Sequence, residues 1–119
     1  MKPPLLLSER DLTKQIRDWL NLKRIFHWKH WSGLGSAPGV PDILGVLPGG
    51  RALMIEVKTM KGKLSDHQRR FLENAANQGA LAFEARSLED VIKRCRPIVG
   101  EWKNKDHGEL ARQARPAGQ

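Results

Sequence analysis

Apolar and polar positions change their period several times along the chain, and each change marks an element. Leu12, Ile16, Trp19 and Leu20 recur at helical spacing behind Ser8-Glu9-Arg10-Asp11, a run with the Ser-x-x-acid form of a helix cap, so a helix is predicted over 9–24. Residues 25–31, IFHWKHW, alternate as a strand does, and SGLGSAPG over 32–39 reads as a loop. Two apolar runs, 41–47 and 51–58, are predicted strands joined by a glycine turn. Ser65-Asp66-His67-Gln68 caps a second helix whose Phe71, Leu72, Ala75 and Ala76 face inward and which ends at Gly79. ALAFEA, 80–85, is a short strand; Ser87-Leu88-Glu89-Asp90 then opens a third helix, which carries Val91, Ile92 and Cys95 and stops before Pro97. The order α-β-β-β-α-β-α predicts an α/β fold: a four-stranded mixed central sheet flanked by helices, with the second helix as the crossover to the last strand.

A chain of 119 residues is sized for one domain. Residues 1–99 are expected to form it, because after Gly100 the sequence turns polar and reads as a flexible C-terminal tail over 100–119. Lysine and arginine number 21 against 13 acids, a net charge of +8, and such an excess favours a polyanionic partner. The single cysteine, Cys95, excludes an intrachain disulfide and fits a reducing compartment, with the thiol acting as a small core hydrophobe. No apolar run approaches the length of a membrane span, so no membrane partner and a cytoplasmic location are expected.

Charge inside the apolar hairpin changes this picture. In GVPDILGVLPGGRALMIEVKTMKG, residues 39–62, Asp42 follows a proline in one strand, and Glu56 and Lys58 end the other. Alternation puts Glu56 and Lys58 on one face about 6 to 7 Å apart, with Val57 directed to the other. Asp42 joins them only if paired residue numbers sum to 98, which leaves Pro48-Gly49-Gly50 as a three-residue loop. A two-residue Gly49-Gly50 loop would instead pair Asp42 with Val57 and spoil the site. Two converging carboxylates make an oxygen-rich pocket suited to Mg²⁺ or Mn²⁺, with a carbonyl such as that of Val57 completing the protein ligands. Such a site, with Lys58 beside it, suits phosphodiester hydrolysis.

Two more polar residues fall on apolar helix faces: Glu9 with Leu12 and Ile16, and Gln68 with Phe71, Leu72 and Ala75. Each has two readings. Glu9 either joins the acids or complements the positive end of its helix; Gln68 either reaches the site or only closes a capping box.

Pro41-Asp42 followed by Glu56-Val57-Lys58 resembles the PD-(D/E)xK nuclease superfamily, and over residues 8 to 95 the chain looks like a stand-alone VRR-NUC domain. The resemblance implies a restriction-endonuclease-like fold and an endodeoxyribonuclease dependent on Mg²⁺ or Mn²⁺. Asp42 and Glu56 would be metal ligands, Lys58 the catalytic lysine, Glu9 a further acidic ligand, direct or through water, and Gln68 a supporting residue. It also implies a homodimer, similar to Holliday-junction resolvases, acting on branched DNA, and a bacterial or phage-encoded type of protein. Lys29, Lys61, Lys63 and Arg69 flank the site as phosphate contacts, and Ser36 could match a hydroxyl residue of the resolvases. Two alternatives stand beside this reading: a less selective nicking or flap nuclease using the same residues, and a basic nucleic-acid-binding module whose acids are structural. His27 and His30 point to opposite faces of a strand and make a poor zinc pair.

Overall fold

A computed structural model of the chain describes residues 7–31, 35 and 37–105, with side chains described to residue 99. The elements are α1 (Glu9–Leu22), β1 (Phe26–Lys29), β2 (Ile43–Val46), β3 (Ala52–Val57), α2 (Asp66–Asn77), β4 (Leu81–Ala85) and α3 (Leu88–Lys105), in the order expected. The strands form one sheet, β1-β2-β3-β4; the first three are antiparallel and β4 runs parallel to β3, with α2 as the crossover.

Ser8 caps α1 by accepting a hydrogen bond from Asp11 N–H at 3.0 Å. The helix ends at Leu22, two residues early. Arg24 turns left-handed at φ 58°, Arg24 N–H donates to the Asn21 carbonyl, and Ile25 N–H donates to the Leu20 carbonyl. That is a Schellman cap, and the buried side chains of Leu20 and Ile25 supply its apolar contact.

Strand parity divides the core in two. Ile43, Leu53, Ile55, Val57 and Phe83 face α1 and α3, meeting Leu12, Ile16 and Leu20 from the first helix and Val91, Cys95 and Val99 from the last. On the other face α2 covers only the β3–β4 half, through Leu72 against Met54 and Ala82. Phe26, Trp28 and Val46, on the uncovered half, are exposed. Ala76, expected to face inward, is exposed as well.

The third helix does not stop before Pro97. Pro97 lies inside α3, where it has no N–H for the Lys93 carbonyl, a loss of roughly 3 kcal/mol in a helix interior. Continuing the helix buries Val99 completely and packs Ile98 on the core, which offsets much of that cost. Helix therefore enters the segment read as a polar tail, and residues 106–119 lie outside the described residues. Cys95 is fully buried and its thiol is pushed up to about 11 by that burial, as suits a core position.

Candidate active site

Register decides the site. The β2–β3 ladder pairs Ile43 with Ile55 and Val46 with Ala52, so paired numbers sum to 98, and Leu47 N–H donates to the Arg51 carbonyl at 2.8 Å. Pro48, Gly49 and Gly50 form the three-residue loop, with both glycines at positive φ (93° and 95°). Asp42 and Glu56 are next in that register and share the α2 face of the sheet. The Asp42 segment is drawn toward α2 by Gly39, whose φ is +80° and where a Cβ would lie 2.4 Å from the His67 carbonyl oxygen. Only glycine allows that approach.

Four side chains converge there. Asp42 Oδ2 accepts from Val57 N–H at 2.9 Å, which fixes the carboxylate against the end of β3. A strand residue's N–H and C=O leave on the same side, so the Val57 carbonyl is turned toward the acids. Glu56 is 3% exposed, the one buried charged residue among those described. Its Oε2 accepts from Gln68 Nε2 at 3.1 Å and lies 4.0 Å from Lys58 Nζ, while its Oε1 is buried without a partner. Burial above all, then the charge of nearby Asp42, pushes the Glu56 carboxyl from 4.5 up to about 8; Lys58 opposes the shift and Glu9 adds to it.

Gln68 combines both roles foreseen for it. Its Oε1 accepts from Ser65 N–H at 2.9 Å, and Ser65 Oγ accepts from Gln68 N–H, completing a capping box. The amide nitrogen is thereby left pointing at Glu56. The Lys58 segment is held from β4: Lys58 N–H donates to the Ala85 carbonyl at 3.0 Å, and Arg86 Nη1 donates to the Thr59 carbonyl at 2.6 Å.

Glu9 stands apart. It is exposed at the start of α1, one turn before the first buried residue of that helix, Leu12. It lines, with Asp42, a cavity of about 600 Å³ whose other walls are Arg10, Thr13, Lys14 and Arg17 from α1 and Lys29 and Trp31 from the end of β1. The four α1 residues other than Glu9 were not anticipated as site residues. Their spacing of i, i+3, i+4, i+7 marks one helix face, but spacing alone does not say what that face borders. Arg17 Nε donates to His27 Nε2 at 3.3 Å, so His27 carries its proton on Nδ1, which sits 2.9 Å from the Ile25 carbonyl.

Lys29 lines the cavity beside Asp42. Lys61 and Lys63 are exposed on the β3–α2 loop, and Arg69 is exposed and donates to Asp66 at 2.7 Å. Ser36 lies outside the described residues.

The profile of the VRR-NUC domain matches residues 5–89. The chain belongs to the VRR-NUC family. This is a family of nuclease domains, and it sets the general activity on nucleic acid. A solved structure described as a VRR_NUC domain protein superposes with a TM-score of 0.64 at 19% identity, covering 80% of this chain and 90% of its own. Another, described as a VRR_NUC domain, gives 0.60 at 30% identity, covering 71% and 90%. No curated protein matches the chain. No described helix is long and apolar enough to cross a membrane.

The acids fit a hard divalent cation. Among the described residues no three His, Cys, Asp or Glu side chains surround a common point. Mg²⁺ is commonly held by one or two carboxylates, water and substrate phosphate, so the Asp42–Glu56 pair suffices in number. Glu56 Oε1, buried without a partner, is an oxygen left open to such a cation.

Proposed function

We propose that this VRR-NUC domain is a divalent-metal-dependent, structure-selective endonuclease that hydrolyses phosphodiester bonds in Holliday junctions or other branched DNA. The observation that carries this reading is the convergence of Asp42, Glu56, Lys58 and Gln68, with one Glu56 oxygen buried and unpartnered. Asp42, Glu56 and the Val57 carbonyl would hold Mg²⁺ or Mn²⁺, and exposed Glu9 would contribute through water. A bound ion supplies Lewis-acid polarisation of the scissile phosphate. Gln68 holds one Glu56 oxygen so that the other stays free, and Val57 N–H does the same for Asp42. Lys58, whose side chain is 15% exposed, brings a positive charge to offset the charge that builds on the phosphate oxygens as water attacks phosphorus and the bond to the departing sugar oxygen breaks.

Lys29, Ser36, Lys61, Lys63 and Arg69 would contact backbone phosphates. A homodimer would match two active sites to the two symmetry-related strands of a four-way junction. The exposed aromatic face at Phe26 and Trp28, 5.5 Å apart between ring centroids, supports an apolar interface there. Sedimentation at micromolar concentration checks the dimer; a monomer would count against it.

The test is cleavage of linear, nicked, flap and four-way DNA with Mg²⁺ and with EDTA. Cutting is expected only with metal and fastest on the branched forms. Lys58→Ala should slow it by a factor on the order of 10²–10³ while DNA affinity stays within about twofold. Chelator-insensitive binding with no cleavage at all would favour a binding module, and full cleavage by Lys58→Ala would remove the assigned lysine.

A further inference from the structure

The cavity beside Asp42 has a wall that the chemistry above does not use. Trp31, at the end of β1, is 78% exposed, the most exposed large apolar side chain described. The Lys29 ammonium lies 4.6 Å from its ring centroid, so the indole is held by a cation on one side and remains open elsewhere. Across the cavity, α1 presents Arg10, Thr13 and Arg17. Arg17 is oriented by its bond to His27, so one guanidinium is held in place before any ligand arrives. An aromatic plane, fixed cations and a hydroxyl around about 600 Å³ correspond to the base, phosphate and sugar of a nucleotide.

We infer that this cavity takes one unpaired nucleotide of the DNA strand, its base stacked on Trp31 and its phosphate on Arg10, Arg17 and Lys29. A base inside a continuous duplex has both faces covered by its neighbours, so Trp31 can stack only on one that is single-stranded or extruded. The site therefore selects DNA with an unpaired nucleotide at a flap, gap or branch point over uninterrupted duplex. Because Asp42 forms part of the same wall, that nucleotide lies next to the phosphate being cut; this placement rests on the nuclease reading above, whereas the binding itself does not.

Binding is measured in EDTA by fluorescence anisotropy, using a labelled oligodeoxythymidine of about ten residues and a blunt duplex of similar length. Trp31→Ala should weaken the single strand about 5- to 100-fold, the range for loss of one stacked base, and change the duplex less than about twofold. Trp31→Phe should restore most of the affinity. Trp31 is exposed, so thermal unfolding of both variants should match the parent. Unchanged single-strand affinity in Trp31→Ala, equal losses on both probes, or a Trp31→Phe as weak as Trp31→Ala would each overturn the proposal. With Mg²⁺, Trp31→Ala should also flatten the preference for flap over duplex cleavage. If no variant or parent cuts DNA, the nuclease reading fails, and the EDTA measurements still decide the subsite.

Discussion

Glu56 is the residue around which the site is organised, and its protonation has a definite consequence for stability. With its carboxyl raised from 4.5 to about 8, the folded metal-free protein holds a proton there that the unfolded chain has released across that window. The unfolded state then binds fewer protons, so stability is full below pH 4.5 and declines as pH rises through about 8. In EDTA the melting temperature should fall by at least about 4 °C from pH 5 to 8, and the fall should shrink in Glu56→Gln. An equal decline in both proteins would show that another group is responsible. Gln68 permits a separate test because its two amide atoms do different work. Gln68→Glu keeps an oxygen for Ser65 N–H but replaces the donor to Glu56 with a third acid. Cleavage should drop at least about tenfold while α2 stays capped, whereas Gln68→Ala should also lose stability on the order of 1 kcal/mol. Both roles of Gln68 were foreseeable as alternatives from Ser65-x-x-Gln68, but that one amide serves both depends on where β3 ends beneath the helix.

At the level of elements, two glycines with similar backbone angles carry different burdens. Gly49, in the hairpin loop, has φ +93° and open space where a Cβ would go; Gly39 has φ +80° and backbone of α2 in the way. Gly49→Ala should cost only the left-handed conformation, about 1 kcal/mol, while Gly39→Ala should cost roughly 2–5 kcal/mol and impair cleavage by displacing Asp42. Denaturant titration of the two variants checks the difference; equal losses would refute the close packing of the Asp42 segment on α2. Parity and the residues of the loop narrowed the hairpin beforehand to two registers, of which the ladder selects the one with a three-residue loop. The end of α1 and the course of α3 were not legible beforehand. Arg24 is not a usual left-handed residue, and Pro97 is a strong local stop; burial of Ile25 in one case and Val99 in the other overrode the local preference.

Across the whole molecule, a net charge of +8 predicts DNA binding that weakens steeply with salt, since each phosphate contact releases counterions. Removing Lys61 and Lys63 together should lower the slope of log affinity against log salt by about 2. Arg69→Ala should lower it less, because its guanidinium already donates to Asp66. The salt slopes of these variants, measured by anisotropy, check the assignment, and no change in slope for the lysine pair would place the DNA elsewhere.

The sequence by itself determined the order of elements and which residues of a strand share a face, because these follow from short-range periods and from chain connectivity, and it narrowed the hairpin to two registers. Only the tertiary structure decided that Glu56 is buried with one oxygen unpartnered, that Gln68 reaches it, that Glu9 stays at the exposed rim, and that the polar stripe of α1 faces Trp31. Those facts depend on how helices dock against the sheet. Docking is set by the packing of apolar side chains far apart in the chain, which leaves no period in the polar residues it brings together.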